Sequence, residues 1–174
     1  MTDQAHWQTR LDMARDQIIF ARENTNLILA DISPDRWYEQ PAEGVNHVAW
    51  QVGHITMAQY GLALLRQRGR QALDRELMPK LFMRAFAKDS TPAGSPDGAV
   101  PVVEIQDVFD RVHCQVLKEL ETYPLEQLGE GVEPPYVGQP TRLGALLMSA
   151  HHEMLHAGQI GMMRRLLGLA PLVR

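Results

Sequence analysis

The chain has 174 residues, 45% of them apolar and 22% charged, with a formal charge of −4 and one cysteine, Cys114. That length suits a single domain, 1–174, whose core needs no disulfide or structural metal, and the charge leaves no electrostatic footprint for nucleic acid or an anionic membrane surface. No apolar run approaches the ~18 residues of a membrane span, the opening "MTDQAHWQTRLD" has no apolar signal region, and a lone cysteine fits a reducing compartment; a cytoplasmic protein is expected, with a small molecule rather than nucleic acid or membrane as its partner.

Proline marks where long helices can exist, because a helix interior pays about 3 kcal/mol for it. All eleven prolines fall outside four windows: 1–33, 42–78, 102–123 and 141–170. The first window repeats at Trp7, Leu11, Ala14, Ile18, Ala21, Thr25, Ile28 and Ile32, a helical stripe. The second is expected to start at an Asn46 N-cap and to end near Gly69, with Trp50, His54, Met57, Gly61 and Leu65 facing inward. A linker of about 70–101 follows, broken by Pro79, Pro92, Gly94, Pro96 and Gly98. Its "MPKLFMRAF" can form a short extra helix, and connections this long in compact domains usually carry function. The third window repeats at Ile105, Val108, Val112, Val116, Leu120 and Tyr123. The fourth can be capped by Thr141 and closed by Gly168. These near-heptad stripes predict an all-α four-helix bundle, with a crossover long enough for helices 2 and 3 to run parallel.

The fourth window contains "AHHEMLHAGQI", in which His152-Glu153-Met154-Leu155-His156 spells H-E-x-x-H. Residues four apart share a helix face, so His152 and His156 can grip one ion, while His151 is turned about 100° away. Two ligands are too few for a catalytic zinc site, which normally takes three from the protein. In peptidases bearing this motif the third usually lies downstream, but the 18 residues after His156 hold no His, Asp, Glu or Cys. The longer H-E-x-x-H-x-x-G-x-x-H pattern also fails, with Gln159 and Met162 at its last two fixed positions. The third ligand must come from upstream, where "NHVAWQVGHI" offers His47 and His54. His54 is favoured because it lies well inside the helix on the inward stripe, whereas His47 sits at its solvent-facing start. His6, His47, His113 and His151 are expected to be satisfied core residues or exposed, Cys114 a small core residue, and Met148, Met154, Met162 and Met163 core filler. Glu153 could serve a metal-bound water, but a solvated charge on an outer face is the simpler expectation.

The two segments "GVNHVAWQVGHI" and "HHEMLHAGQIGMMRRLLG" together resemble the DinB-like superfamily. The resemblance follows the Asn–Trp–Gly–His spacing of the first and the H-x-x-x-H-x-G-Q-I of the second. It implies an up-down-down-up four-helix bundle holding a divalent metal on His54, His152 and His156, and, by analogy, a homodimer. Zinc and nickel both suit imidazole. The resemblance further implies either a thiol S-transferase using a low-molecular-weight thiol or an enzyme that activates water. A non-catalytic, stress-related bundle with a structural metal is the alternative, and a peptidase is the weakest reading.

Overall fold

The computed structural model of the protein describes residues 3–133 and 139–172, and among them it contains α-helices and no β-strand. In chain order, α1 spans Asp3–Leu29 and α2 spans Val48–Tyr60. The latter continues through a π-helical turn, Gly61–Leu65, into Arg66–Arg68. Two short helices follow, α3 at Asp74–Leu77 and α4 at Lys80–Ala85. The last two are long, α5 at Val102–Leu120 and α6 at Arg142–Leu166. Four long helices therefore occupy the four proline-free windows, and the crossover adds two more. No helix among the described residues is long and apolar enough to cross a membrane.

Proline acts at the boundaries. Pro79, Pro101 and Pro124 each sit immediately before a helical segment, with φ of −59°, −57° and −72°. The fixed ring angle suits that position, and the missing N–H has no intrahelical partner to lose there. The expected "MPKLFMRAF" helix is α4. The unanticipated α3 is too short to show periodicity. It is pinned by Asp74, whose carboxylate accepts from Gln71 N and pairs with Arg68 at 2.8 Å.

The α1 and α5 stripes read from sequence are buried along most of their length, whereas Trp7, Tyr123 and the Met57, Gly61 and Leu65 positions of the α2 stripe are half-buried. From Leu11 to Ile32 every α1 stripe position lies in the core, as do Ile105, Val108, Val112, Val116 and Leu120 of α5. One hydrophobic cluster joins residues of all four long helices, with Phe82 and Phe86 added from the crossover. The closest pairings are α1 with α6, and α2 with both α5 and α6. Thr141 caps α6, its side chain accepting from Gly144 N at 3.1 Å. Gly69 and Gly168 adopt φ of +74° and +78° just past α2 and α6, the left-handed stop that glycine enters without strain.

Three expectations are corrected. The N-cap of α2 is His47, not Asn46: its Nδ1 accepts from Trp50 N at 3.0 Å. An imidazole Nδ1 stands as many bonds from Cα as an asparagine Oδ1, so histidine can fill the same role. His47 is consequently buried rather than solvent-facing. Cys114 is exposed, because it falls off the α5 stripe between Val112 and Val116. Of the four methionines, Met163 is buried, Met148 and Met154 are half-buried, and Met162 faces outward.

Candidate metal centre

Helix α2 is buried on nearly every side, from Val48 to Thr56 without interruption. Its polar side chains therefore meet other protein groups, and two of them, Gln51 and His54, help to build one site. His54 faces α6, where His152 and His156 lie one turn apart. A ligating atom from each of the three histidines falls within 4.8 Å of the other two. Their ring centroids are 4.5 to 5.2 Å apart, and the residues are 8%, 8% and 7% exposed. No fourth His, Cys, Asp or Glu joins this group among the described residues. The histidines singled out from the sequence are thus brought together, while His151 faces solvent and His47 caps the helix.

The surroundings fix how two of the rings present their nitrogens. His54 Nδ1 lies 3.0 Å from the carbonyl oxygen of Phe86. A carbonyl only accepts, so Nδ1 carries a proton and Nε2 is the nitrogen that could ligate. His156 Nδ1 likewise donates to Gln51 Oε1. Second partners of this kind orient metal-binding histidines and raise their basicity. His152 Nδ1 is buried with no hydrogen-bond partner among the described residues, a costly state for a polar atom unless the ring has other work. Burial, and then the neighbouring His54, pushes the His152 pKa down to about 4. Burial, followed by His152 and His54, pushes that of His156 down to about 3, against a raising hydrogen bond from Gln159. Both rings are neutral at physiological pH, as ligation requires. The donor set fits a divalent ion.

Four of the five residues of "WQVGH" serve the site, and Val52 is buried in the core. Trp50 stacks on His54, with ring centroids 4.7 Å apart and planes within 8°. Gln51 orients His156. Gly53 makes room for α4: a Cβ there would lie 2.3 Å from the Phe86 ring, a contact no real side chain tolerates. That close approach brings the Phe86 carbonyl to His54. Sequence reasoning missed Gln51 and Phe86. The first was readable as a polar residue one turn before His54, whereas the second lies in a linker that carries no register.

Glu153 belongs to neither expected role. It is 1% exposed and accepts from Arg22 Nε of α1 at 2.9 Å. Arg22 also donates to Phe109 O at 2.8 Å and to Gln59 Oε1 at 2.9 Å. Its guanidinium carbon lies 3.3 Å from the Phe109 ring centroid. Gln59 in turn contacts His113 Nδ1 at 3.3 Å. The glutamate is therefore a buried cross-link between α6 and α1, fully engaged away from the histidines. Arg22 was legible as a lone charge on the α1 stripe, four residues after Ile18 and three before Thr25.

A pocket of about 170 Å³ opens beside the cluster, lined by His54 and His152 at one end and by the π-helical stretch at the other. Such π turns in α-helices occur frequently at functional sites. A larger cavity of about 410 Å³, bounded by Tyr38, His47 and Trp50, lies on the crossover side and takes in none of the three histidines.

Fold and geometry together define a helical protein with a buried three-imidazole cluster that could hold a metal ion. The chain belongs to the DinB superfamily, whose family pattern matches residues 17–160. Its structure is similar to the crystal structure of a conserved protein from Enterococcus faecalis. The two are 18% identical over 90% of this chain and 96% of the other, with a TM-score of 0.65, a likeness of fold. No curated protein matches the chain.

Proposed function

We propose that this DinB-superfamily protein holds one zinc or nickel ion through His54, His152 and His156. We further propose that it is an enzyme acting on a small molecule, of the thiol S-transferase or hydrolase kind. The observation that carries the reading is the combination of three converging, buried imidazoles with a pocket reaching two of them. A divalent ion in this setting would lower the pKa of a thiol or water entering from the pocket. The chain's own part is to orient the rings through Phe86 and Gln51, to shield them from bulk water, and to leave one side approachable. A structural metal, the competing reading, would be expected to recruit a fourth protein donor.

The bundle order that fits best is up-down-down-up. Arg22 with Glu153, and Asp31 with Arg164, pair along α1 and α6 as both advance. Gln51 meets His156 while Gln67 meets the Arg142 carbonyl, so α2 and α6 oppose each other. Gln59 meets His113 and Arg68 meets Glu119, so α2 and α5 advance together. The shared core supports one domain. A homodimer is supported by the outer face of α1, where Met13, Phe20 and Leu27 are 50 to 57% exposed at heptad spacing. Leu155, Met162 and Leu166 are similarly exposed on α6. A Phe20→Glu change is expected to convert a dimer into a monomer in sedimentation; a monomeric parent would refute the dimer.

Metal analysis tests the centre. The parent protein is expected to bind one divalent ion per chain, and His54→Ala, His152→Ala and His156→Ala to lose most of it. His151→Ala should retain it. Full stoichiometry in His54→Ala would remove α2 from the site and end this reading.

A further inference from the structure

Resting on that metal reading, we infer that the pocket beside the histidines selects ligands carrying a carboxylate at the end remote from the metal, and that Arg66 is the residue that reads it. The pocket is chemically polarised. His54 and His152 form one end, Met57, Ala58 and Leu62 supply an apolar wall, and Arg66, folded back onto Gly61, stands at the other end, with Lys88 also in the lining. Among the described residues no acidic side chain lines it.

The π-helical turn places the guanidinium. Arg66 folds back along α2, and its Nη1 donates to the Gly61 carbonyl at 3.4 Å while its Nε donates to the Glu133 carbonyl at 3.3 Å. A Cβ at Gly61 would lie 3.6 Å from Nη1, so the guanidinium lies against this glycine. Among the described residues Arg66 forms no ion pair and its Nη2 has no partner. Three arginines at the ends of long helices contrast with it. Arg68 is paired with Asp74 and Glu119, Arg142 with Glu130, and Arg164 with Asp31. A half-buried guanidinium held by neutral carbonyls, with no carboxylate beside it among the described residues, offers a fork of donors suited to a carboxylate.

Spacing sets the ligand's length. Gly61 is seven residues after His54, about 10 Å along a helix axis. After a metal bond of roughly 2 Å and a hydrogen bond of roughly 3 Å, about 5 Å is left, so a donor atom and a carboxylate separated by about two to four methylene groups, the longer ones folded, fit between the two ends.

The test uses the cobalt-substituted full chain, whose absorption changes when a thiolate joins the metal. A series of ω-mercaptocarboxylates is titrated against ω-mercaptoalcohols of equal length. At two to four methylenes the carboxylate is expected to bind about tenfold more tightly. Arg66→Gln should abolish that preference without altering cobalt stoichiometry or alcohol affinity, and Arg66→Lys should restore part of it. Glutarate and adipate, which carry no thiol, are expected to raise the melting temperature of the cobalt protein but not of the Arg66→Gln variant. Equal affinity for the two series, or a preference that survives Arg66→Gln, would overturn the inference. If no thiol changes the cobalt spectrum yet the dicarboxylates still act through Arg66, thiol activation fails and the carboxylate site stands. If neither class binds, the carboxylate site falls.

Discussion

Replacing Glu153 by glutamine separates the two meanings that an H-E-x-x-H sequence can have. In a metallopeptidase the glutamate is the general base, so its loss abolishes turnover and leaves stability nearly unchanged. Here the carboxylate is buried against Arg22, whose other donors are fixed to Phe109 O and Gln59. Glutamine keeps an oxygen for Arg22 Nε but removes the countercharge. Breaking a buried ion pair from one side costs about 3–5 kcal/mol, and the retained hydrogen bond places this change at the lower end. For a chain of this size each kcal/mol moves the melting temperature by roughly 2–4 °C, which gives a fall of about 6–12 °C. Arg22→Met leaves the opposite charge stranded and should cost as much. Because a buried pair replaced on both sides is often nearly neutral, Arg22→Met/Glu153→Leu should recover most of the loss. Calorimetry on the four proteins, with metal analysis at low temperature, makes the comparison, and all four are expected to bind the same amount of metal. A Glu153→Gln melting temperature within about 1 °C of the parent would refute the cross-link.

Gly53→Ala is expected to destabilise the fold by about 1–3 kcal/mol through overpacking against Phe86, and to weaken metal binding by loosening the carbonyl that orients His54; a competition titration with a chromogenic chelator reads the second effect. Removing metal with a chelator should lower the melting temperature without unfolding the chain, since a ligand of the folded form alone stabilises it; circular dichroism before and after chelation checks both halves. The metal-free protein should lose stability on mild acidification. Burial, and then Arg22 beside it, pushes the His113 pKa down to about 3, below the ordinary value of about 6.5. The unfolded chain therefore takes up a proton first as pH falls. The stability is present above about pH 6.5 and drains away towards pH 3, with His152 and His156 contributing in the same direction. A midpoint flat from pH 7 down to pH 4 would contradict that order.

How much could be read beforehand followed from what leaves a periodic trace. The stripes from Leu11 to Ile32 and from Ile105 to Leu120 are long enough to fix a helix and its inward face, so the four long helices were legible together with their Thr141 and Gly168 ends. His152 and His156 were legible because spacing within one helix is local geometry, and His54 because its position in α2 puts it inside the core. What stayed hidden lies in pairings across helices. Arg22 with Glu153 joins residues 131 positions apart, and no local pattern says which charge on α1 meets which on α6. Phe86 acts through a backbone carbonyl, which has no sequence identity at all. His47 was misplaced because capping preferences favour Asn46, whereas the actual helix start falls one residue later.

The same geometry explains why a protease-like sequence need not make a protease-like site. Successive helical residues diverge by about 100°, and in this bundle that step sets Glu153 against Arg22 of α1 while His152 faces His54 of α2. A bundle sets a different helix against each face of α6. His152 and His156 meet α2, which supplies His54 and the orienting Gln51, while Glu153 meets α1 and is neutralised by Arg22. A glutamate held there would have to break a buried ion pair before it could accept a proton from anything at the histidines, at the several kcal/mol such a rupture costs. What the motif contributes is its histidine spacing. The function of the residue between the histidines is decided by the helix it faces.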